Sequence, residues 1–154
     1  MFLRYFRSQH FDSHRQEVVT SAEGGITFAV RPSEYAEGLF EVAWHVEDTK
    51  FCKNAGRERS ELRMLLGKVL ILNLKDRGLI EIVKAVRTQA EVFERPSASL
   101  RDREIAAFDV EVKTLVPAID KILQTRTLAE RMMVDSKDAI SALHLKESYE
   151  DKSR

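Results

Sequence analysis

The sequence predicts an α+β fold, in which a small antiparallel sheet of about four strands is covered by a long helix and followed by a helical carboxy-terminal half. Three observations lead to this prediction. Residues before position 48 contain short runs in which apolar and polar residues alternate, which is the period of a strand. From Thr49 to Lys75 the apolar residues recur at steps of three and four, which is the period of a helix. From Leu79 onward the helical period dominates.

Four runs in the first part of the chain have the alternation and the aromatic or β-branched content of strands: Phe2–Ser8, Glu17–Ser21, Ile26–Arg31 and Leu39–Val46. Gly24 and Gly25 separate the second run from the third. Because glycine adopts positive φ without strain, this pair predicts a hairpin turn. The fourth run places Phe40, Val42 and Trp44 on one face. Its clean alternation predicts a sheet that is covered on one side only.

The expected cover is one amphipathic helix from Thr49 to Lys75. Its recurring positions share one face: Ala55, Leu62, Leu65, Leu66, Val69, Leu70 and Asn73. A helix with so much leucine must bury that face, and the Trp44 face of the sheet is the nearest candidate. The segment Asp76-Arg77-Gly78 is expected to end this helix, with Gly78 in the left-handed conformation.

A second helix is predicted over Leu79–Glu94, with a strand over Leu79–Val83 as the open alternative. Arg95-Pro96-Ser97 then divides the chain, because proline disfavours a helical conformation at the residue before it. The division leaves an α+β core domain of residues 1–95 and a helical region of residues 96–154. Ser99 is expected to cap the next helix.

An apolar heptad stripe runs through this helical region, with Pro117 inside it as an expected kink. Its members alternate steps of three and four: Ile105, Phe108, Val112, Leu115, Ile119 and Ile122. Such a stripe is too apolar to face water, so it packs on the domain's own helices or on a second chain. We expect a second chain, which makes the protein a homo-oligomer, with no subunit number implied.

The composition limits the classes of function. Among 154 residues, 25 are basic and 25 are acidic, so net charge does not steer the protein toward nucleic acid or membrane. Cys52 is the single cysteine, which excludes an internal disulfide and fits a reducing compartment. The first residues lack the apolar core of a signal peptide, and no run approaches the roughly 18–20 apolar residues that span a bilayer. We therefore expect a cytoplasmic protein without membrane contact.

The residues that carry chemistry do not form a catalytic pattern. His10 and His14 are metal-ligand types without a third ligand nearby, which favours a solvated loop. Cys52 has no histidine or aspartate placed to activate it, so we interpret it as an inert thiol. The sequence contains no phosphate-binding, dinucleotide-binding, nucleophile-elbow or zinc-protease motif. We therefore expect no enzyme activity, no cofactor and no metal.

Interleaved aromatic and basic residues are the remaining signal. Sequence-tolerant binding of single strands requires aromatic rings that stack on bases and cations that follow phosphates. The residues with this chemistry lie on the first strand, on the third predicted strand and along one stripe of the long helix: Phe2, Arg4, Phe6, Arg31, Lys50, Lys53 and Arg57. They predict a single-stranded DNA surface, with no base preference implied. The alternative is that the phenylalanines complete a core edge and the cations are a solvated face.

Asp48, Phe51, Lys53, Gly56 and Arg57 match the pattern D-x-x-F-x-K-x-x-G-R, followed by the small residue Ser60. In this stretch the chain resembles small bacteriophage early proteins that have strands before such a helix start. Some of these phage proteins coat single-stranded DNA and assist transcription or replication, and the resemblance implies a non-enzymatic protein of that kind. Independently of the resemblance, Gly56 is expected to let the helix approach the sheet closely, with Lys53 and Arg57 at the rim.

A second class of function fits the same sequence. In this alternative the chain is an interaction protein that binds a host protein through its helical half and inhibits or redirects it. The sequence does not identify that host protein. A third hypothesis, an enzyme that uses the loop of His10 and His14, is the weakest of the three.

Overall fold

The computed structural model describes residues 1–93 and 102–152 and has the expected α+β class. The strands are β1 (Phe2–Asp12), β2 (Glu17–Pro32), β3 (Phe40–Lys50) and β4 (Leu70–Leu72). The helices are α1 (Lys53–Leu65), α2 (Leu79–Glu91), α3 (Asp102–Lys113) and α4 (Leu115–Lys152). All strand pairs are antiparallel and the order in the sheet is β1-β2-β3-β4, which confirms the predicted sheet and the helical carboxy-terminal half.

The glycine pair does not form the predicted hairpin turn. β1 and β2 are joined by a turn at residues 13–16, and β2 continues through Gly24 and Gly25. The pairing register shifts at Ser8, opposite which residues 21–24 bulge out of the ladder. Gly24 has a φ of +80°, so the conformational freedom that suggested a turn is used by a bulge inside a long strand.

Both faces of the sheet are covered, in contrast to the expected single cover. The face that carries Phe28 and Trp44, the tryptophan face, packs against α2, α3 and α4 and forms the main core. The opposite face, the threonine face, carries Thr27, Ala29 and Ala43 and packs against α1. The leucine-rich helix therefore covers the face that was expected to be open.

Small side chains on both surfaces explain why α1 packs on the threonine face. The buried residues of α1 are Gly56, Ser60 and Met64. A Cβ atom at Gly56 would lie only 2.1 Å from the Thr27 Oγ1, so the helix backbone comes very close to β2. This confirms the expected close approach at Gly56. The larger side chains of the tryptophan face leave no room for such an approach, and longer apolar side chains of α2 and α4 fill that side.

α1 ends at Leu65, so the expected helix from Thr49 to Lys75 is wrong at both ends. Gly67 has a φ of +70°, and the N–H groups of Gly67 and the residue after it donate to carbonyls of the last helical turn at 3.2 and 2.9 Å. This is a Schellman motif, which ends a helix. The chain then enters β4, which pairs with β3. At the other end, β3 continues to Lys50 before α1 begins.

α2 begins at Leu79, so the stretch Leu79–Val83 is helical. Gly78 is the residue before the helix and has a φ of −72°, so the expected left-handed conformation at Gly78 is wrong. The left-handed helix stop lies at Gly67 instead.

The heptad stripe is divided between α3 and α4, which meet at Thr114. Pro117 lies in the first turn of α4. Because proline has no N–H, the Lys113 carbonyl at the end of α3 receives no helical hydrogen bond from it, and this is where the two helices are separated. Four stripe residues are buried in the core of the chain itself: Val112, Leu115, Ile119 and Ile122. This corrects the expectation of a second chain at these positions. Ile105 and Phe108 are half-buried, and the expected homo-oligomer stays a prediction.

Two arginines connect the helices to one another. Arg87 of α2 donates to both carboxylate oxygens of Asp120 on α4, at 2.7 and 3.1 Å. Arg63 of α1 forms a 2.8 Å ion pair with Glu111 of α3, and its guanidinium lies 4.2 Å from the Trp44 ring centroid. Since α1 and α3 cover opposite faces, Arg63 passes around the edge of β3 that β4 leaves open.

The boundary predicted at Arg95-Pro96-Ser97 and the cap at Ser99 lie outside the described residues. Residues from both sides of that boundary contribute to one core, with Phe6 and Ile119 in the same buried cluster. Of the helices in the described part of the chain, none combines the length and apolar character needed to cross a membrane.

Candidate functional site

The residues of the predicted DNA surface do not form one surface. Strand register places Phe2, Arg4 and Phe6 on the tryptophan face, whereas Arg31 lies on the threonine face. Phe6 is fully buried, and the Arg126 guanidinium of α4 lies 5.2 Å from its ring centroid. Phe6 is thus a core residue, which corrects its expected role in stacking on bases.

Phe2 and Arg4 belong to a basic and aromatic cluster at one end of the sheet. The Arg4 guanidinium lies 4.6 Å from the Phe2 ring centroid, and its Nε donates to the Arg77 carbonyl at 3.0 Å. Arg77 itself lies 5.5 Å from the Phe2 ring and 5.9 Å from the Phe40 ring. The rings therefore already have cations near them, and both phenylalanines contribute to the core.

Arg31 is held by an acidic partner. Its Nε lies 2.6 Å from the Glu41 carboxylate, whose side chain is 7% exposed. A phosphate at Arg31 would compete with this short contact and would approach a buried negative charge. The structure therefore does not support Arg31 as a phosphate contact, which corrects the sequence-based assignment.

Lys50 is exposed at the end of β3, and Lys53 and Arg57 are exposed in the first part of α1. The structure adds two residues of β1 to them. The Lys53 Nζ lies 5.1 Å from the Tyr5 ring centroid, and the Arg7 guanidinium lies 4.0 Å from that of Phe51. We define the basic-aromatic surface by its exposed and half-buried members: Tyr5, Arg7, Lys50, Lys53 and Arg57. The alternation of β1 already placed Tyr5 and Arg7 on one face, but only the position of α1 shows which face is accessible.

Acidic groups reduce the positive potential of this basic-aromatic surface. Glu47 accepts a hydrogen bond from the Cys52 N–H at 3.1 Å, and Glu61 lies 4.0 Å from the Arg57 Nε. Neither carboxylate is buried, and both lie within one Debye length of the cations. The surface is therefore suited to weak, salt-sensitive contact with anions.

A second surface carries exposed leucines that the sequence predicted to be buried. We call it the leucine edge and define it as Leu62 and Leu65 of α1, Leu66 directly after the helix, and Ile71 of β4. These side chains are between 48% and 79% exposed. Only residues 66–69 separate the end of α1 from β4, and Ile71 lies on the threonine face, the face that α1 covers. The leucines therefore belong to the segment that covers this face, and Leu66 lies four residues before β4 in the chain.

A groove of about 480 Å³ runs beside the leucine edge, between β4 and α2. Its lining includes Ile71, Lys75, Glu81, Lys84 and Thr88. Glu81 accepts a hydrogen bond from the Lys75 N–H at 3.3 Å. Neither the Lys75 nor the Lys84 ammonium forms an ion pair with a residue in the described part of the chain. The groove is therefore open, half apolar and lined by cations without partners there.

The carboxy-terminal part of α4 carries a third set of exposed apolar side chains. Ser136 donates a hydrogen bond to Gln16 in the β1–β2 turn, so this part of α4 lies beside the end of the hairpin. The exposed apolar residues here are Met132, Val134, Ile140, Leu143 and Leu145. They are scattered around the helix and interspersed with charges, so they do not form one contiguous stripe.

The residues considered for catalysis are placed separately. The His10 Nδ1 lies 3.0 Å from the Ser21 Oγ, and His14 is exposed in the turn. In residues 1–93 and 102–152, no three potential ligands from histidine, cysteine, aspartate and glutamate come close enough to hold a metal ion. Cys52 is an exposed free thiol.

A cleft of about 300 Å³ lies between the β2 bulge and α4. Three carboxylates, one ammonium and three hydroxyls contribute to its lining: Glu23, Glu47, Asp48, Lys121, Ser8, Ser21 and Thr125. The mixed charges define no single ligand class. The lining of the cleft therefore does not indicate a particular ligand or reaction.

His45 of β3 is the histidine with a shifted proton affinity. Burial lowers the pKa of His45. The negative charge of Glu47 raises this pKa, and the positive charges of Arg59 and Arg63 lower it further. It lies on the threonine face, opposite Thr27 in the ladder. The neutral form is therefore favoured in the folded protein, which suits a structural role.

The comparisons with known proteins add no assignment. No family model, curated protein or solved structure matches the chain.

Proposed function

We propose that the chain is a non-enzymatic interaction protein that binds a host protein and inhibits or redirects it. The observation that carries this proposal is the exposure of Leu62, Leu65 and Leu66 at the end of α1, a helix that buries only small side chains and one methionine. Contiguous apolar surface of this kind is typical of protein-binding sites. In this proposal the host protein contacts the leucine edge, whereas the sequence suggested contact through the helical half.

The energetics favour a partner on this surface. Complete burial of a leucine side chain contributes roughly 1.5–3 kcal/mol. The three leucines are 55%, 79% and 61% exposed, so a partner that covers them gains at most about twice that contribution, which offsets part of the free-energy cost of association. Arg59 and Lys68 are exposed in the same part of the chain and supply a polar rim. A cytoplasmic location is part of this proposal, and the free thiol of Cys52 supports it.

Paired variants test the proposal. Leu65→Lys with Leu66→Lys changes the leucine edge, whereas Leu128→Lys with Met132→Lys changes two other exposed apolar positions, on α4. Immobilised wild-type and control proteins should retain the same partner from an extract of the natural host, and the leucine-edge variant should lose it. The purified partner should then bind the leucine-edge variant at least ~10-fold more weakly, which corresponds to about 1.4 kcal/mol. Equal retention by both variants, or no partner for the wild type, contradicts the proposal.

A second candidate function is weak single-stranded DNA binding by an oligomeric protein that assists phage transcription or replication. The observation that favours it is the Tyr5 ring beside Lys53, with Lys50 and Arg57 exposed nearby. One stacked base contributes roughly 1–3 kcal/mol, so tight binding needs several subunits on one strand.

Oligonucleotide titration tests this second candidate. Thirty-mer and ten-mer strands are titrated at two salt concentrations, and the thirty-mer should bind more tightly. Tyr5→Ala should weaken binding without changing the salt dependence, while Lys53→Ala should flatten the slope of log affinity against log salt by roughly 0.7. Lys146→Ala on the distant end of α4 is the matched control. Equal affinity for both lengths, or no binding at low salt, removes the DNA candidate.

A further inference from the structure

β4 is the last strand of the sheet, and its outer edge is open. Within the described residues it pairs only with β3, over Phe40–Val42. An edge strand presents unpaired backbone N–H and C=O groups in a row and can pair with another extended chain. Ile71, in the middle of β4, is 48% exposed. Because isoleucine carries no charge, it does not prevent another strand from pairing with this edge.

The surroundings of β4 differ on the two faces of the sheet. On the threonine face an added strand would lie beside Ile71 and the leucines at the end of α1. On the tryptophan face it would lie in the groove lined by Lys75 and Lys84, next to α2. Because successive side chains of a strand point to opposite faces, the added strand would place every second residue in an apolar environment and every other residue near lysines.

We propose that β4 binds an extended segment of a partner protein in which apolar and acidic residues alternate. The apolar side chains contact the leucine edge, the acidic side chains pair with Lys75 and Lys84, and the backbone adds a fifth strand to the sheet. This inference rests on the proposed function, because it specifies the partner that the leucine edge binds.

The charges argue against a second copy of this chain as the occupant. Antiparallel pairing of two β4 strands would bring Lys68, Lys75 and Lys84 of each copy together, and no carboxylate of β4 itself would neutralise them. Glu81 is the one acidic residue that lines the groove, and its carboxylate accepts the Lys75 N–H. Like charges at an interface disfavour association, whereas an acidic segment supplies the missing partners.

Synthetic peptides test the proposal on the full-length protein. The probe is a nine-residue peptide of alternating isoleucine and glutamate with a solubilising amino-terminal tag. One control peptide has the same composition in the order Ile-Ile-Glu-Glu, and another replaces glutamate by lysine. We expect saturable binding of the alternating glutamate peptide, slower hydrogen exchange at β4 backbone amides in its presence, and at least ~10-fold weaker binding of both controls.

Two protein variants locate the binding. Lys75→Glu with Lys84→Glu should weaken peptide binding at least ~10-fold, while Lys121→Glu with Lys146→Glu, on α4, should leave it unchanged. Equal binding of the alternating and paired-order peptides, or unchanged exchange at β4 with saturating peptide, overturns the proposal. If capture of a host partner still depends on Leu65 and Leu66 in that case, the interaction function stands and only the strand-addition mode fails. If the peptide binds β4 but no host partner depends on the leucines, the interaction function fails instead.

Discussion

The contact between Gly56 and Thr27 gives the sharpest test of the fold. The Cβ of a Gly56→Ala variant would lie 2.1 Å from the Thr27 Oγ1 and 3.0 Å from its Cβ. Because Thr27 is fully buried and Gly56 is buried against it, α1 would have to move away from β2 and loosen the packing of Ser60 and Met64. Overpacking of this kind costs roughly 1–3 kcal/mol, or more where backbone must move.

Helix propensity acts in the opposite direction. Replacing glycine by alanine inside an exposed helix stabilises it by about 1 kcal/mol. We therefore expect Gly56→Ala to lower the free energy of unfolding by about 1–2 kcal/mol, measured by urea denaturation. Adding Thr27→Ala removes the clashing Oγ1, which has no hydrogen-bond partner among the described residues. The double variant should recover most of the loss, with a coupling energy of about 1–2 kcal/mol.

Gly67→Ala is the matched control. A Cβ there would meet no heavy atom within 4 Å, so its cost comes from the positive φ alone. This cost should be about 1 kcal/mol and should not change when Thr27→Ala is added. If Gly56→Ala proves neutral or stabilising, the close packing of α1 on the threonine face is refuted.

Three further predictions concern ionisation and the core. Hydrogen bonds from Arg87 lower the pKa of Asp120, so their stabilisation is complete above the ordinary aspartate pKa of 3.8 and is lost as the pH falls through the folded-state value. Asp120→Asn should remove this acid-range dependence in denaturation measurements. Burial lowers the pKa of His45, so its effect on stability is fully favourable above pH 6.5 and diminishes as the pH falls through the lowered value. His45→Gln should flatten that segment, and an unchanged profile contradicts the assignment. Phe108→Asp with Leu115→Asp should unfold the chain because Leu115 is fully buried, whereas a folded monomer in light scattering and circular dichroism would restore the second-chain interpretation.

The sequence predicted those strands and helices that have a repeated pattern of apolar residues. The alternation around Trp44 identified β3, and the helical period identified α2, because those patterns survive in the folded chain. β4 could not be found this way, since three residues form a strand only by pairing with β3. Gly67 was the one local signal that α1 ends before β4. The leucines around Gly67 continue the helical spacing, so the pattern predicted one longer helix.

The sites were harder to predict than the strands for a physical reason. Phe2, Arg4 and Phe6 alternate in the same way whether their face is open or covered, and the cover over Phe6 comes from Arg126 and its neighbours on α4, far along the chain. The same limitation applies to the leucines of α1. Periodicity groups residues on one face of a helix but does not determine whether that face or the one with Gly56 and Ser60 meets the sheet.

The position of Arg63 has a consequence for solubility. β4 covers only the first three residues of β3, so among the described residues the stretch from Ala43 to Lys50 has no strand neighbour on that side. A charged side chain held across such an edge, here by Trp44 and Glu111, makes the approach of a foreign strand costly. On this side of the sheet, Arg63 therefore disfavours pairing of β3 with a strand of another molecule. In the described part of the chain, the outer edge of β4 has no such charge across it and can still pair.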